Sequence, residues 1–106
     1  MISDWSGSAF EFAFGLEKPV IFINLPKKIN NSEFHLYESI PLEINLRKEI
    51  GEIVEMNDTN SIIDIINKVY NQKLKYKDKI KKIRNKTIYN ISNSANKGAE
   101  YINNLI

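Results

Sequence analysis

Apolar and polar positions follow two rhythms along this chain, and the change falls near residue 56. From Ala9 to Phe14 apolar residues stand almost all round a helical projection, with Glu11 the charged exception. That is the pattern of a helix buried on several sides. Ser6-Gly7-Ser8 opens it with small residues, and Gly15 is expected to close it in a left-handed conformation. Lys18-Pro19 then leads into Val20 to Leu25, a continuous apolar run broken only by Asn24. Such a run predicts a strand buried in a parallel sheet, with Pro19 at a tolerated starting position. Pro26 begins a loop lasting to about Pro41. After it, apolar spacing from Ile44 or Leu46 to Ile50 predicts a short helix ended by Gly51, and Glu52 to Glu55 a brief strand. Met56-Asn57-Asp58-Thr59 supplies polar punctuation and an N-cap for the next helix.

From Thr59 onward the period is helical. Ile62, Ile63, Ile66, Val69 and Tyr70 make one apolar stripe; Tyr76, Ile80, Ile83 and Thr87 make a second; Ala95, Ala99, Ile102 and Ile106 mark a last helix begun near Ser92 or Ser94. These stripes predict core or interface surfaces. The whole reads as α/β, with two or three short parallel strands in residues 1–56 and a helical tail in 57–106. At 106 residues it is expected to form a single domain, near the lower end of ordinary sizes.

Charge changes this picture more than composition does. The net charge is +2, but Lys73 to Lys86 holds eight Lys or Arg and one acid, Asp78, a local charge of +7 against −5 for the remainder. A solvated helix face is the leading reading, and contact with an anionic membrane surface is the alternative. No aromatic interleaving beyond Tyr76 supports stacking on nucleic acid. There are no cysteines, which excludes disulfides and thiolate metal sites. The start lacks a signal-peptide pattern, and no apolar run approaches the roughly 18 residues of a membrane span, so a cytoplasmic chain is expected.

The candidate chemistry sits at the amino-terminal corner. A helix opened by Ser and Gly presents unpaired N–H donors and the positive end of its dipole, which suits phosphate. Glu11 has two readings: a capping box with Ser8, or an acceptor for ligand hydroxyls. Trp5 is read as a packing residue, with base stacking as a minor alternative. Lys27 and Lys28 follow a parallel strand, where ligand crevices lie, although surface solvation is the leading reading of both. Arg47 is a candidate phosphate ligand or the partner of a nearby Glu. His35, the single histidine, has no partner at metal-ligand spacing and reads as a loop residue.

Asp4, Ser6-Gly7, Glu11 and the Lys18-Pro19 lead into a strand resemble the nucleotide-binding stretch of GT-B type transferases. The stretch is most similar to the CDP-glycerol glycerophosphotransferase family, which polymerises teichoic acids and related surface polymers. It resembles more distantly the nucleotide-sugar epimerases and glycosyltransferases of that fold. The likeness covers residues 2 to 31, more loosely 41 to 55, and only in general terms the tail. It implies a partial Rossmann-like C-terminal half of a GT-B fold, working beside a missing N-terminal half or through self-association. It implies Ser6, Gly7 and Ser8 for the phosphates of a CDP-glycerol or nucleotide-sugar donor and Glu11 for its ribose. Ser3 and Asp4 would support them, and Lys27, Lys28 and Arg47 would offer further phosphate contacts. The family more often has a second Ser where Gly7 stands and Asp where Glu11 stands. Its catalytic histidines lie in regions without a counterpart here, so no catalytic residue, metal or separate cofactor is carried over. A location in the cytoplasm or against the inner face of the cell membrane is implied by the same likeness.

Overall fold

A computed structural model describes every residue except 28, 30 and 37–39, and the side chain of residue 59. The first half holds β1 (Ile2–Ser3), α1 (Ser8–Leu16), β2 (Val20–Asn24), α2 (Leu42–Ile50) and β3 (Gly51–Glu55). Then come α3 (Ile62–Asn71), α4 (Lys73–Thr87) and α5 (Ser94–Asn103), with 3-10 turns at Phe34–Leu36 and Met56–Ser61. The strands form one parallel sheet in the order β1-β2-β3. Ile2 lies opposite Ile21, and β3 runs beside β2 from Val20 against Gly51 to Asn24 against Glu55. Two consecutive strand–helix–strand units therefore bring the carboxyl ends of all three strands to one side of the sheet. The architecture is the mixed α/β arrangement that the apolar pattern predicted.

The core explains why these elements persist. Phe22, Ile50, Ile80, Val20 and Val54 are its largest fully buried side chains, each contributing roughly 1.5–3 kcal/mol. Ala9 and Ala13 are wholly buried on α1, one turn apart on one helix face. Tyr76 and Ile80 are buried on α4, with Ile83 packed beside them, so the second predicted stripe is a core face. Gly51 is fixed by close approach: a Cβ there would stand 1.7 Å from the Val20 carbonyl oxygen. Its φ of −179° is ordinary extended backbone, so contact alone requires glycine.

Several expectations need correction. Gly15 does not cap α1; the helix runs through it to Leu16, and Glu17 adopts the left-handed conformation at φ 54°, ψ 38°. That conformation costs a non-glycine residue about 1–2 kcal/mol. Here it is held by Arg84 from α4, whose Nη2 lies 2.9 Å from Glu17 Oε1 while Nη1 donates to the Phe14 carbonyl at 2.7 Å. A distant arginine thus satisfies the helix end that a local glycine was expected to close. The Ser8–Glu11 capping box is absent, because Gly7 takes the N-cap position and makes no side-chain cap bond. Among the described residues α3 gains no side-chain cap either: it starts at Ile62 behind Ser61, whose hydroxyl donates back to Asp58. On α3 the expected stripe holds only in part: Val69 is buried and Ile62 half-buried as expected, but Ile65 packs on the core while Ile63 and Tyr70 are about two-thirds exposed.

The last helix buries nothing. Every residue of α5 is exposed, Tyr101 and Ile102 included. The radius of gyration is 16.9 Å, where a compact chain of this length has about 13 Å. Among the described residues no helix is long and apolar enough to cross a membrane.

Candidate functional site

The short β1 ends at Ser3, and the chain turns through Asp4 to Gly7 before α1 begins. Trp5 pins that turn: its indole N–H donates to the Leu25 carbonyl at 2.6 Å, joining the loop after β1 to the loop after β2. Ser6 and Ser8 share a hydroxyl hydrogen bond at 2.7 Å. In the first helical turn the Ala9 amide donates to the Ser6 carbonyl at 3.2 Å and the Phe10 amide to the Gly7 carbonyl at 3.0 Å. The Gly7 and Ser8 amides have no backbone acceptor among the described residues. They are two of the orphan donors every helix start presents.

A cleft of about 660 Å³ opens at this corner, lined by Asp4, Trp5, Ser6, Gly7, Lys27 and Glu43 together with Leu25, Pro26, Pro41 and Ile44. It lies outside the carboxyl ends of β1 and β2, where ligands bind in open α/β sheets. Asp4, Ser6, Gly7 and Lys27 are thus brought together. Ser8 is exposed beside the cleft, and Ser3 sits half-buried in β1. Glu11 lines a second cleft of about 720 Å³ that shares Gly7 and Glu43 with the first, between α1 and the segment from Arg84 to Ser94. Lys28 lies outside the described residues. Two carboxylates, Asp4 and Glu43, line the first cleft with one ammonium, Lys27. An anion there must rely on backbone N–H donors and Lys27, while hydroxyl or amino groups of a ligand find acceptors.

Arg47 is not positioned as a phosphate ligand. It is only 2% exposed, with its guanidinium carbon 3.7 Å from the Trp5 ring centre and 5.0 Å from that of Phe22. Nη1 donates to Asn24 Oδ1 at 3.1 Å and Nη2 to the Ile23 carbonyl at 3.4 Å. Asn24 in turn donates to both Glu55 carboxylate oxygens, at 3.0 and 2.9 Å. The expected acidic partner is therefore reached through an amide. Burial pushes the guanidinium below its ordinary value, and the charges of Glu55 and Asp4 oppose that shift. Among the described residues the buried Nε has no acceptor, so the stack on Trp5 and the two Nη bonds carry the compensation for a buried cation.

Two members of this network carried only faint signals in the sequence. Asn24 is the polar interruption of an apolar strand, and Arg47 stands three residues before Ile50 on the same helix face. The Lys27 ammonium lies 5.3 Å from the Trp5 ring centre, close enough to add a cation over an indole. His35 is exposed, with Nδ1 at 3.1 Å from the Ser32 carbonyl. Among the described residues no three His, Cys, Asp or Glu are grouped to hold a metal ion. No protein-family model matches the chain, and no curated protein or solved structure matches it.

Proposed function

We propose that the Ser6–Gly7 corner holds the phosphates of a nucleotide-activated donor, CDP-glycerol or a nucleotide sugar. The chain is then the donor-holding portion of a glycerophosphotransferase or glycosyltransferase that builds a cell-surface polymer. Its contribution is positioning and electrostatic stabilisation, with the chemistry supplied by residues outside it and no turnover by the chain alone. The observation that supports this reading is the cleft at the carboxyl ends of two parallel strands, lined by Ser6, Gly7 and Lys27 beside the first turn of α1. Glu11 enters the reading as the ribose acceptor for a donor that bridges the two clefts at Gly7, their shared wall.

Titration of the chain with CDP-glycerol, CMP and UDP-sugars, with the amide resonances of Ser6 to Ser8 as the readout, tests the proposal. Shifts there that weaken in Glu11→Ala support donor recognition with a ribose contact. No shift at millimolar ligand rejects it. A transferase assay that detects turnover by this chain alone rejects the inactive-portion reading.

One observation favours a second reading, a stand-alone interaction module. Tyr101, Ile102, Leu105 and Ile106 are all more than half exposed at the carboxyl end, which leaves apolar surface for self-association or another protein. Sedimentation across a concentration series detects self-association, and association without any response of the Ser6 to Ser8 amides to donor favours this reading over the first.

A further inference from the structure

We infer that Trp5 is the wall against which the aromatic base of the ligand stacks, so that the cleft selects nucleotides over phosphorylated sugars lacking a base. The inference rests on the reading that this cleft holds a nucleotide, and it adds the part of the ligand that the Ser/Gly corner does not address. Three features of the ring carry it. Trp5 is half-buried and lines the cleft, and besides Arg47 it carries over its ring the exposed Lys27 ammonium, 5.3 Å from the ring centre, which a stacking base would displace toward its own phosphate.

Its orientation is fixed at both ends: the indole N–H is bonded to the Leu25 carbonyl at 2.6 Å, and the guanidinium of the buried Arg47 lies 3.7 Å from the ring centre. Arg47 is itself held by Asn24 and the Ile23 carbonyl on the central strand. A ring fixed in this way loses little freedom when a second ring stacks on it, which is the condition under which an aromatic platform binds well.

The polar lining agrees with a nucleoside rather than a bare anion. Asp4 and Glu43 share the cleft with Lys27, so its charged side chains include more acceptors than donors. Ribose hydroxyls and the amino groups of bases are donors that suit those carboxylates, while the phosphate is left to Lys27 and the amides of the Ser/Gly corner. Base–aromatic stacking tolerates any base because every base has a π-face, so the class assigned is a nucleotide with no stated base.

The chain has one tryptophan, so its fluorescence reports Trp5 without ambiguity. Titration of the wild-type chain with CMP and with ribose 5-phosphate should show CMP quenching the emission and binding about tenfold or more tightly. Trp5→Phe should keep most of that preference and Trp5→Leu should lose it, both read from the Ser6 to Ser8 amides. Equal affinity for the two ligands with unmoved emission overturns the stacking role while leaving phosphate holding intact. Quenching by CMP without movement of those amides supports the wall and removes the corner. No response of either kind at millimolar ligand overturns both.

Discussion

Arg84 is predicted to be the main link between the helical tail and the helix that begins at the candidate site. Arg84→Met keeps most of the apolar stem and removes the guanidinium. Lost first is the charge-assisted bond to the Phe14 carbonyl, 2.7 Å long across 70 residues of sequence, for which about 1.5–3 kcal/mol is usual. Lost with it is the pair with Glu17 at 2.9 Å, whose side chains are 20% and 21% exposed. That partial exposure sets its contribution near the solvent-screened range of about 0.2–1 kcal/mol. Offsetting these losses by about 1 kcal/mol is relief of the buried Nε that has no acceptor. The net expectation is a destabilisation of about 2 kcal/mol. For a chain of this size that lowers Tm by about 8–16 °C.

Thermal melts monitored by far-UV circular dichroism measure this, and a second substitution separates the capping role from simple loss of charge. Glu17→Gly in the wild type removes left-handed strain of about 1–2 kcal/mol and the surface-type pairs with Arg84 and Lys77. It should therefore be near neutral or mildly stabilising. In the Arg84→Met background only Lys77, at 3.8 Å, remains, so the same change should recover about 1 kcal/mol. A fall in Tm of less than 2 °C for Arg84→Met, on the scale of about 4–8 °C per kcal/mol, would refute the account of how α1 ends. So would a clear loss of stability in Glu17→Gly.

Three further outcomes are expected from the fold. Gly51→Ala forces a Cβ to within 1.7 Å of the Val20 carbonyl oxygen, against backbone that cannot rotate away. It should cost about 3 kcal/mol or more, and a urea midpoint within error of wild type would show that the β2–β3 register is wrong. Removal of residues 94–106 takes away a helix that buries nothing, so the melting temperature of the shortened chain should stay within the shift expected for about 0.5 kcal/mol; a larger drop would mean that α5 docks. Glu52 accepts from the Tyr76 hydroxyl and from Lys68 at 2.9 Å. Burial alone would raise its pKa, but these partners carry it below the ordinary carboxylate value. A carboxylate with a lowered folded-state pKa contributes stability that is complete above its unfolded value of about 4.3 and lost as pH falls through the folded one. Tyr76→Phe should thus destabilise by about 1–2 kcal/mol at pH 7 and by less near pH 3, as urea titrations at the two pH values would show.

How much of this was legible depended on how far apart the partners stand in the sequence. Val20 to Asn24 was recognisable as a buried strand because an apolar run is a local feature, and Gly51 marked a true boundary between α2 and β3. The α4 stripe was also legible: Tyr76 and Ile80 repeat at helical spacing and are buried. On α3 the pattern was right for Val69 and wrong for Ile63, Ile66 and Tyr70, since Ile62, Ile63, Ile65 and Ile66 surround more than one face and the tertiary contact chose among them. Gly15 misled in another way. Glycine is the usual local answer at a helix end, and here a side chain from α4 made Glu17 an adequate one.

The candidate site shows the same division more sharply. Its backbone frame, a Ser/Gly turn at the end of a parallel strand with a helix beside it, is written in adjacent residues. Its rigidity is not, because Trp5 is bonded to Leu25, Arg47 to Asn24, and Asn24 to Glu55, partners separated by 20, 23 and 31 residues. These bonds tie the loops around the cleft to the ends of β2 and β3. Arg47, a candidate for a further phosphate contact, is consequently withdrawn beneath the indole, and the residue that looked like packing, Trp5, lines the cleft. Chemical type alone assigns ligands in a sequence. The fold reassigns them by burial, and at this corner the buried guanidinium is committed to Asn24, the Ile23 carbonyl and the Trp5 ring.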